Sequence, residues 1–348
     1  MKKTTNSRGI PEYSLLSEHT KLSRLKEVAR ETHLYKKYLY KEDIPDYPRP
    51  EFHVAQLKHD TQQWGLSGIQ EDRGFKDPHR GLRDPEKWPL VWWSLAVGPE
   101  EIQEAEARLL KKTYPDRTEE QAAEQESFLW RFASSPAFSE KSIFGSYRFT
   151  FTVEEVLEAY SKQFCSGAPP IMRVFKTSLY KKEVVHVVLV HSPANQELFS
   201  RFPLLPRDDP DAVCTYRDGR FIWRPEAMCK THSYELIQKP DENQMTADDV
   251  RGRFPPYYVW DNVAIALHVE RGQVLKFDCD LLRKNLTFCR ESDGNVPDEI
   301  QFDDFKAAEA LVEKLWPDSG LQLKEEPSLE HFKEEPKEEP MEHEDSQQ

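Results

Sequence analysis

The stretch IMRVFKTSLYKKEVVHVVLVH, residues 171–191, decides the fold. Two β-rich runs, Met172 to Tyr180 and Val184 to Val190, flank Lys181, Lys182 and Glu183, which is the pattern of a hairpin. In the second run only His186 interrupts a series of valines and a leucine. A half-exposed strand alternates apolar with polar residues. A strand that is apolar at nearly every position needs cover on both faces and belongs in the middle of a sheet. The rest of the chain must pack on it.

Working outward, the preceding segment supplies helices. Thr152-Val153-Glu154-Glu155 and Thr118-Glu119-Glu120-Gln121 are capping boxes, in which the first hydroxyl and the fourth side chain satisfy backbone N–H groups at a helix start. The first opens a helix with Val153, Val156, Leu157, Tyr160 and Phe164 on one face; the second opens one carrying Leu129 and Phe132. Gly98-Pro99 starts a third helix, with proline at its first position and Ile102, Ala105, Leu109 and Leu110 as its stripe. Tyr147, Phe149 and Phe151 alternate as in a half-buried strand, and Leu90–Val97 is a buried strand by composition.

Earlier still, Phe52–His59 reads as one strand, and Asp60 or Thr61 then caps a short helix carrying Trp64 and Ile69 and ending near Gly74. Ser17 is the expected cap of a helix reaching Tyr40, with Leu22, Leu25 and Val28 on its apolar face.

Beyond His191 the pattern turns to hairpins. Val213–Tyr216 and Phe221–Trp223 flank Asp218-Gly219, a pair that tolerates the positive φ of a tight turn. Tyr234–Ile237, Tyr257–His268 and Val274–Phe277 are further strands, the last two joined through Glu270, Arg271 and Gly272. A final helix carries Phe305, Ala308, Leu311, Val312 and Leu315. Helices in the first half and hairpins in the second imply an α+β fold, a mostly antiparallel sheet with packed helices. The expected organisation is a disordered N-terminus over 1–16, an N-terminal helix over 17–42, one α+β domain over 43–316 and a disordered acidic tail over 317–348.

Charge is concentrated at one end. Of the net −14, the segment from Pro317 onward holds eleven acids against three lysines, or −8, which leaves −6 for the body. No basic stripe interleaved with aromatics is present, so nucleic acid is disfavoured as the partner. Five cysteines without a CxxC pair argue for reduced thiols and a nucleocytoplasmic location, in nucleus or cytoplasm. No apolar run is long enough to span a bilayer, so no membrane role is expected.

The tail reads LQLKEEPSLEHFKEEPKEEPMEHEDSQQ from Leu321, with three copies of Lys-Glu-Glu-Pro in a composition too polar and proline-rich to pack. Leu323-Lys324-Glu325-Glu326 and Phe332-Lys333-Glu334-Glu335 place an apolar residue before a lysine and an acid two positions after it. Both resemble the SUMO-acceptor consensus; Pro336-Lys337-Glu338-Glu339 departs from it at the apolar position. The resemblance implies Lys324, Lys333 and Lys337 as modification sites and the SUMO-conjugation machinery as a partner. A strand-like peptide sets the apolar group and the carboxylate on either side of the lysine, and extra acids favour a basic enzyme surface.

His59-Asp60-Thr61, where a strand gives way to a helix, followed by Gly74-Phe75, resembles the first NAD-contacting strand of ADP-ribosyltransferases. The resemblance implies NAD as cofactor, His59 on the nicotinamide ribose and Thr61 steadying the turn. It covers about twenty-five residues. The later Gly-Tyr-Phe strand and a catalytic glutamate at a strand end are not found. The same residues also read as a strand-end histidine followed by a helix cap.

His186 and His191 fall on opposite faces of their strand, and His53 and His59 lie ~20 Å apart at ~3.3 Å per residue, so neither pair can chelate a metal. HExxH, GxSxG, GxGxxG and the phosphate-binding GxxxxGK[ST] pattern are absent. Asp261 and Asn262, polar residues inside an apolar strand, need buried partners. The expectation is therefore a regulatory or interaction protein that binds other proteins, with a SUMO-modifiable tail and no cofactor. The alternative is an ADP-ribosyltransferase-like NAD-binding enzyme or its inactive relative.

Overall fold

The structure, a computed structural model, describes residues 1–5, 11–31, 47–77, 88–180, 183–226, 233–250, 260–292 and 296–327. Its strands are β1 (Lys2–Thr5), β2 (Pro11–Leu16), β3 (Phe52–Val54), β4 (Gln56–Thr61), β5 (Gly74–Phe75), β6 (Leu90–Ala96), β7 (Tyr147–Thr152) and β8 (Ile171–Tyr180). There follow β9 (Glu183–His191), β10 (Cys214–Arg217), β11 (Arg220–Trp223), β12 (Tyr234–Lys239), β13 (Gln244–Asp249), β14 (Trp260–His268), β15 (Leu275–Lys276) and β16 (Leu286–Phe288). The helices are α1 (Leu22–Glu31), α2 (Gln63–Asp72), α3 (Pro99–Thr113), α4 (Glu119–Ala123), α5 (Val153–Phe164), α6 (Cys279–Lys284) and α7 (Phe305–Leu315).

The expected hairpin forms the third and fourth strands, inside a nine-stranded sheet of order β1-β2-β8-β9-β14-β6-β4-β7-β16. β8 and β9 pair antiparallel from Ile171–His191 to Tyr180–Glu183, with a bulge between Val174 and Lys176; the turn residues 181 and 182 lie outside the described residues. On its other side β9 runs parallel to β14, the one parallel pairing among the described strands of this sheet. The double burial inferred for Val184–Val190 is observed. Val188 and Val190 join the main core with Leu57, Trp93, Leu95, Phe149 and Ile265, while Val187 and Leu189 face a second cluster with Leu90, Phe199, Phe202 and Ala266. Period-two side chains on a strand buried on both faces leave nothing to alternate.

The sheet's main-core face is covered by helical residues, including Leu66 of α2, Ile102 of α3, Val156 of α5 and Val312 of α7. Both capping boxes form: Thr118 with Gln121 and Thr152 with Glu155 exchange side-chain and backbone hydrogen bonds. The second helix expected from these, α4, is only five residues long, and Leu129 and Phe132 sit in a separate 3-10 turn. The Asp218-Gly219 turn joins β10 and β11 with positive φ at both positions, 51° and 77°. β10 and β11 make a smaller sheet with β3.

Several expectations are corrected. The N-terminus is not disordered over its described residues: β1 pairs with β2, and β2 extends the large sheet by pairing with β8, Tyr13 opposite Leu179. Ser17 caps no helix. It stands in a turn at φ 65°, its N–H donating to Phe175 O, and α1 begins at Leu22, whose N–H is taken by the Glu226 carboxylate. The expected continuation to Tyr40 falls on residues outside those described. Phe52–His59 is not one strand, because the chain leaves the small sheet after Val54 and enters the large one at Gln56, with Ala55 O accepting from Val153 N–H. β15 pairs with β5 rather than with β14.

The expected disordered tail is corrected as well, as far as Pro327. Leu323 is only 5% exposed and belongs to the main core. Phe288 N–H donates to Lys324 O at 2.8 Å, and Glu326 N–H donates back to Phe288 O at 2.8 Å, so this segment lies along β16 in a parallel bridge centred on Glu325. A composition of lysine, glutamate and proline concealed one apolar anchor. Residues 328–348 lie outside the described ones.

Candidate functional site

β4 and β6 pair only from Gln56–Ala96 to Lys58–Ser94; beyond that point β4 continues on β7 alone and β6 on β14 alone. The large sheet therefore parts at His59. The imidazole bridges the gap, its Nδ1–H donating to Trp92 O at 2.8 Å, which leaves Nε2 as the acceptor nitrogen. Burial pulls the His59 pKa below its usual value, although the Trp92 carbonyl and the Asp60 carboxylate act the other way. The parting is filled by rings. Phe75 lies with its centroid 4.9 Å from His59, 4.7 Å from Trp93 and 5.3 Å from Phe149, and Phe277 closes the cluster 5.6 Å from Phe75.

The Gly74-Phe75 pair has a packing reason. A Cβ at residue 74 would stand 2.2 Å from Leu275 O, so only glycine lets β5 approach β15 closely enough to hold Phe75 in the parting. Thr61 is likewise committed. It is not the cap of α2: it remains in β4 opposite Tyr147, and Gln62 takes the cap position without a side-chain hydrogen bond. Its hydroxyl fills the space beside Gly65, where an added Cβ would lie 2.0 Å away. Gly145, at φ 128°, passes directly over the Thr61 carbonyl.

A tyrosine and an acid at this strand end pair with each other. Tyr147, opposite Thr61, donates its hydroxyl to Asp303 Oδ2 at 2.6 Å, and burial, then this hydrogen bond, push the phenol pKa up. Asp60, the other expected cap, points to the opposite face of the sheet, where Arg148 Nε and Nη2 donate to its two oxygens at 2.8 and 2.9 Å.

That second face holds a charge cluster with little warning in the sequence beyond Lys58 and Asp60 alternating within a strand. Arg148 is 2% exposed and also donates to Ser139 O, and Lys58 donates to Pro136 O at 2.6 Å and Ser139 O at 3.1 Å. Glu326, from the docked tail, comes within 3.5 Å of Arg148 and accepts from the Thr287 hydroxyl at 2.6 Å. Two cations and two anions thus balance. Burial, with Arg148's charge second, pulls the Lys58 pKa down to about 8. For Asp60, burial opposes ionisation, but the guanidinium prevails and holds the carboxyl below its usual range.

The histidines fall as their spacing implied. His191 accepts from Arg173 Nε at 2.9 Å and donates from Nδ1 to Ser192 O, which fixes its neutral tautomer. His186 is buried on the other face, its ring 5.5 Å from that of His19. His53 sits in the small sheet beside Glu51, away from His59. Among the described residues no group of three His, Cys, Asp or Glu could hold a metal ion, and no helix is long and apolar enough to cross a membrane. Asp261 Oδ2 accepts from Glu226 N–H, and the same Glu226 takes the first N–H of α1; Asn262 Oδ1 is buried with no hydrogen-bond partner among the described residues.

Of the tail lysines, Lys324 is exposed on the docked segment, and Lys333 and Lys337 lie outside the described residues. Set against known proteins, this chain matches no family model, no curated protein and no solved structure.

Proposed function

We propose that the protein is an intracellular regulatory or interaction protein, of nucleus or cytoplasm, that binds other proteins and carries SUMO-acceptor lysines on its acidic C-terminal segment. The observation that carries this reading is the outward-facing Lys324 at the head of three Lys-Glu-Glu-Pro copies. It is supported from the other side by the employment of His59, Thr61, Gly74 and Phe75 in closing the parted sheet. The test is expression in cells of the K324R/K333R variant beside the unaltered protein. A slower-migrating, SUMO-reactive band should be present for the native chain and absent for the variant; an unchanged band defeats the proposal.

A second reading, an NAD-binding relative of the ADP-ribosyltransferases, rests on the resemblance of His59-Asp60-Thr61 and Gly74-Phe75. Calorimetric titration with NAD separates the two. Heat of binding that disappears in H59A would support the second reading, and its absence in the unaltered protein would remove it.

A further inference from the structure

Leu323-Lys324-Glu325-Glu326 is the one acceptor-like motif within the described residues, and it is an edge segment of the fold. The consensus is read as an extended strand whose apolar residue and whose acid both contact the conjugating enzyme. Here the apolar residue, Leu323, is buried at 5% exposure among core side chains. The acid, Glu326, is held by the Thr287 hydroxyl and faces Arg148, and Glu325 accepts from Arg290 at 2.8 Å. The backbone between them is paired with Phe288 through both Lys324 O and Glu326 N–H. Of the three positions that the consensus specifies, only the lysine is exposed; Glu325, at the unspecified position, is the other exposed side chain. An enzyme can reach the nucleophile but not the groups that identify it.

We propose that docking of residues 323–326 on β16 gates modification of Lys324, so that the lysine becomes a SUMO acceptor only when this segment is released from the sheet edge. The inference rests on the acceptor reading given above. In the step itself the neutral Lys324 amine, its proton lost to solvent, attacks the carbonyl of the thioester that joins SUMO to its conjugating enzyme. The isopeptide C–N bond forms, the nitrogen gives up a second proton to solvent, the C–S bond breaks, and the enzyme thiolate leaves. The fold supplies none of these atoms and acts through the fraction of molecules whose motif is free: if fewer than about one in ten are released, the rate falls about tenfold or more below that of the free peptide. Release has a built-in reporter, because it frees the amides of Phe288 and Glu326.

The test is a reconstituted reaction with activating enzyme, conjugating enzyme, SUMO and ATP. The full chain carrying K333R and K337R is compared with a synthetic peptide of residues 319–330 and with the same chain bearing T287V and R290A, which removes docking partners without touching the motif. The gate predicts rapid conjugation of the peptide, conjugation of the folded chain slower by about tenfold or more, and recovery in the T287V/R290A chain together with faster hydrogen exchange at Phe288 and Glu326. Folded chain and peptide reacting at equal rates would overturn the gate and leave the acceptor reading standing. A peptide that is not conjugated would overturn the acceptor reading at Lys324, and the gate with it. Should T287V/R290A lose its cooperative melt, R290A alone carries the comparison, since the Arg290 side chain is 71% exposed; no gain in exchange or conjugation there counts against the gate.

Discussion

Replacing Asp60 by asparagine tests whether the buried charge cluster is balanced as its geometry implies. In the native fold Arg148 and Lys58, each no more than 5% exposed, are offset by Asp60 and Glu326, and Asp60 receives two charge-assisted hydrogen bonds from the guanidinium. The amide introduced by D60N would keep the volume and one acceptor but leave two buried cations facing a single carboxylate 3.5 Å from Arg148. Removing one partner of a buried ion pair costs about 3–5 kcal/mol, because the survivor stays desolvated and uncompensated. Against total stabilities of about 5–15 kcal/mol, that is about a fifth or more of what holds a domain together. Urea unfolding followed by tryptophan fluorescence should show the midpoint falling at constant slope. Adding R148M should cost little more, under about 1 kcal/mol, since the stranded charge is then gone. A loss below about 1 kcal/mol for D60N alone would refute the reasoning, for it would mean that water already reaches the pair.

Three further outcomes are expected. G65A should destabilise the protein by about 1–3 kcal/mol despite alanine's better helix propensity, because its Cβ would meet Thr61 Oγ1, and T61A/G65A should recover most of the loss; thermal melts of the three chains decide it. Deleting residues 323–348 should cost about 4 kcal/mol, from the burial of Leu323 and two backbone hydrogen bonds, whereas deleting 328–348 removes none of the described contacts and should leave the urea midpoint unchanged. Burial pulls His19 down to about 4, against the pull of its hydrogen bond to Val187 O, and pulls His186 well below its usual value, with His19's charge adding to the effect. Below about pH 6.5 the unfolded chain therefore takes up protons that the folded one refuses, and stability present at neutral pH is lost as pH falls, by roughly 1.5 kcal/mol from His19 between pH 6.5 and 5, with His186 adding in the same direction. H19Q should flatten that fall, and urea midpoints equal at pH 7 and 5 would contradict the assignment.

The elements legible in the sequence are those whose signal is local. Two capping boxes, a proline at a helix start, an Asp-Gly turn and a valine-rich run broken only by His186 each encode their structure within a few residues, and each is found. β13, QMTADD, has neither alternation nor β-branched density, and it becomes a strand by pairing along its whole length with β12. β16 is three residues long, and β2 is held in the large sheet by β8, far away in sequence. At the candidate site, His59 was visible as a strand-end histidine, but Thr61 stays in the strand because Tyr147 pairs with it and Gly145 and Gly65 pack around it, all tertiary facts. The tail misled for a related reason: composition averages over residues, and Leu323 alone determines where its segment goes.

The sheet's outermost strands also set an order of events at birth. Glu12 of β2 ion-pairs with Lys176 of β8, 164 positions downstream. At about 5–20 residues per second of synthesis, the first hairpin leaves the ribosome roughly ten to thirty seconds before the strand it must join. Throughout that wait its backbone edge is open to any extended chain nearby, so nascent-chain chaperones have more to guard at the beginning of this polypeptide than at its centre.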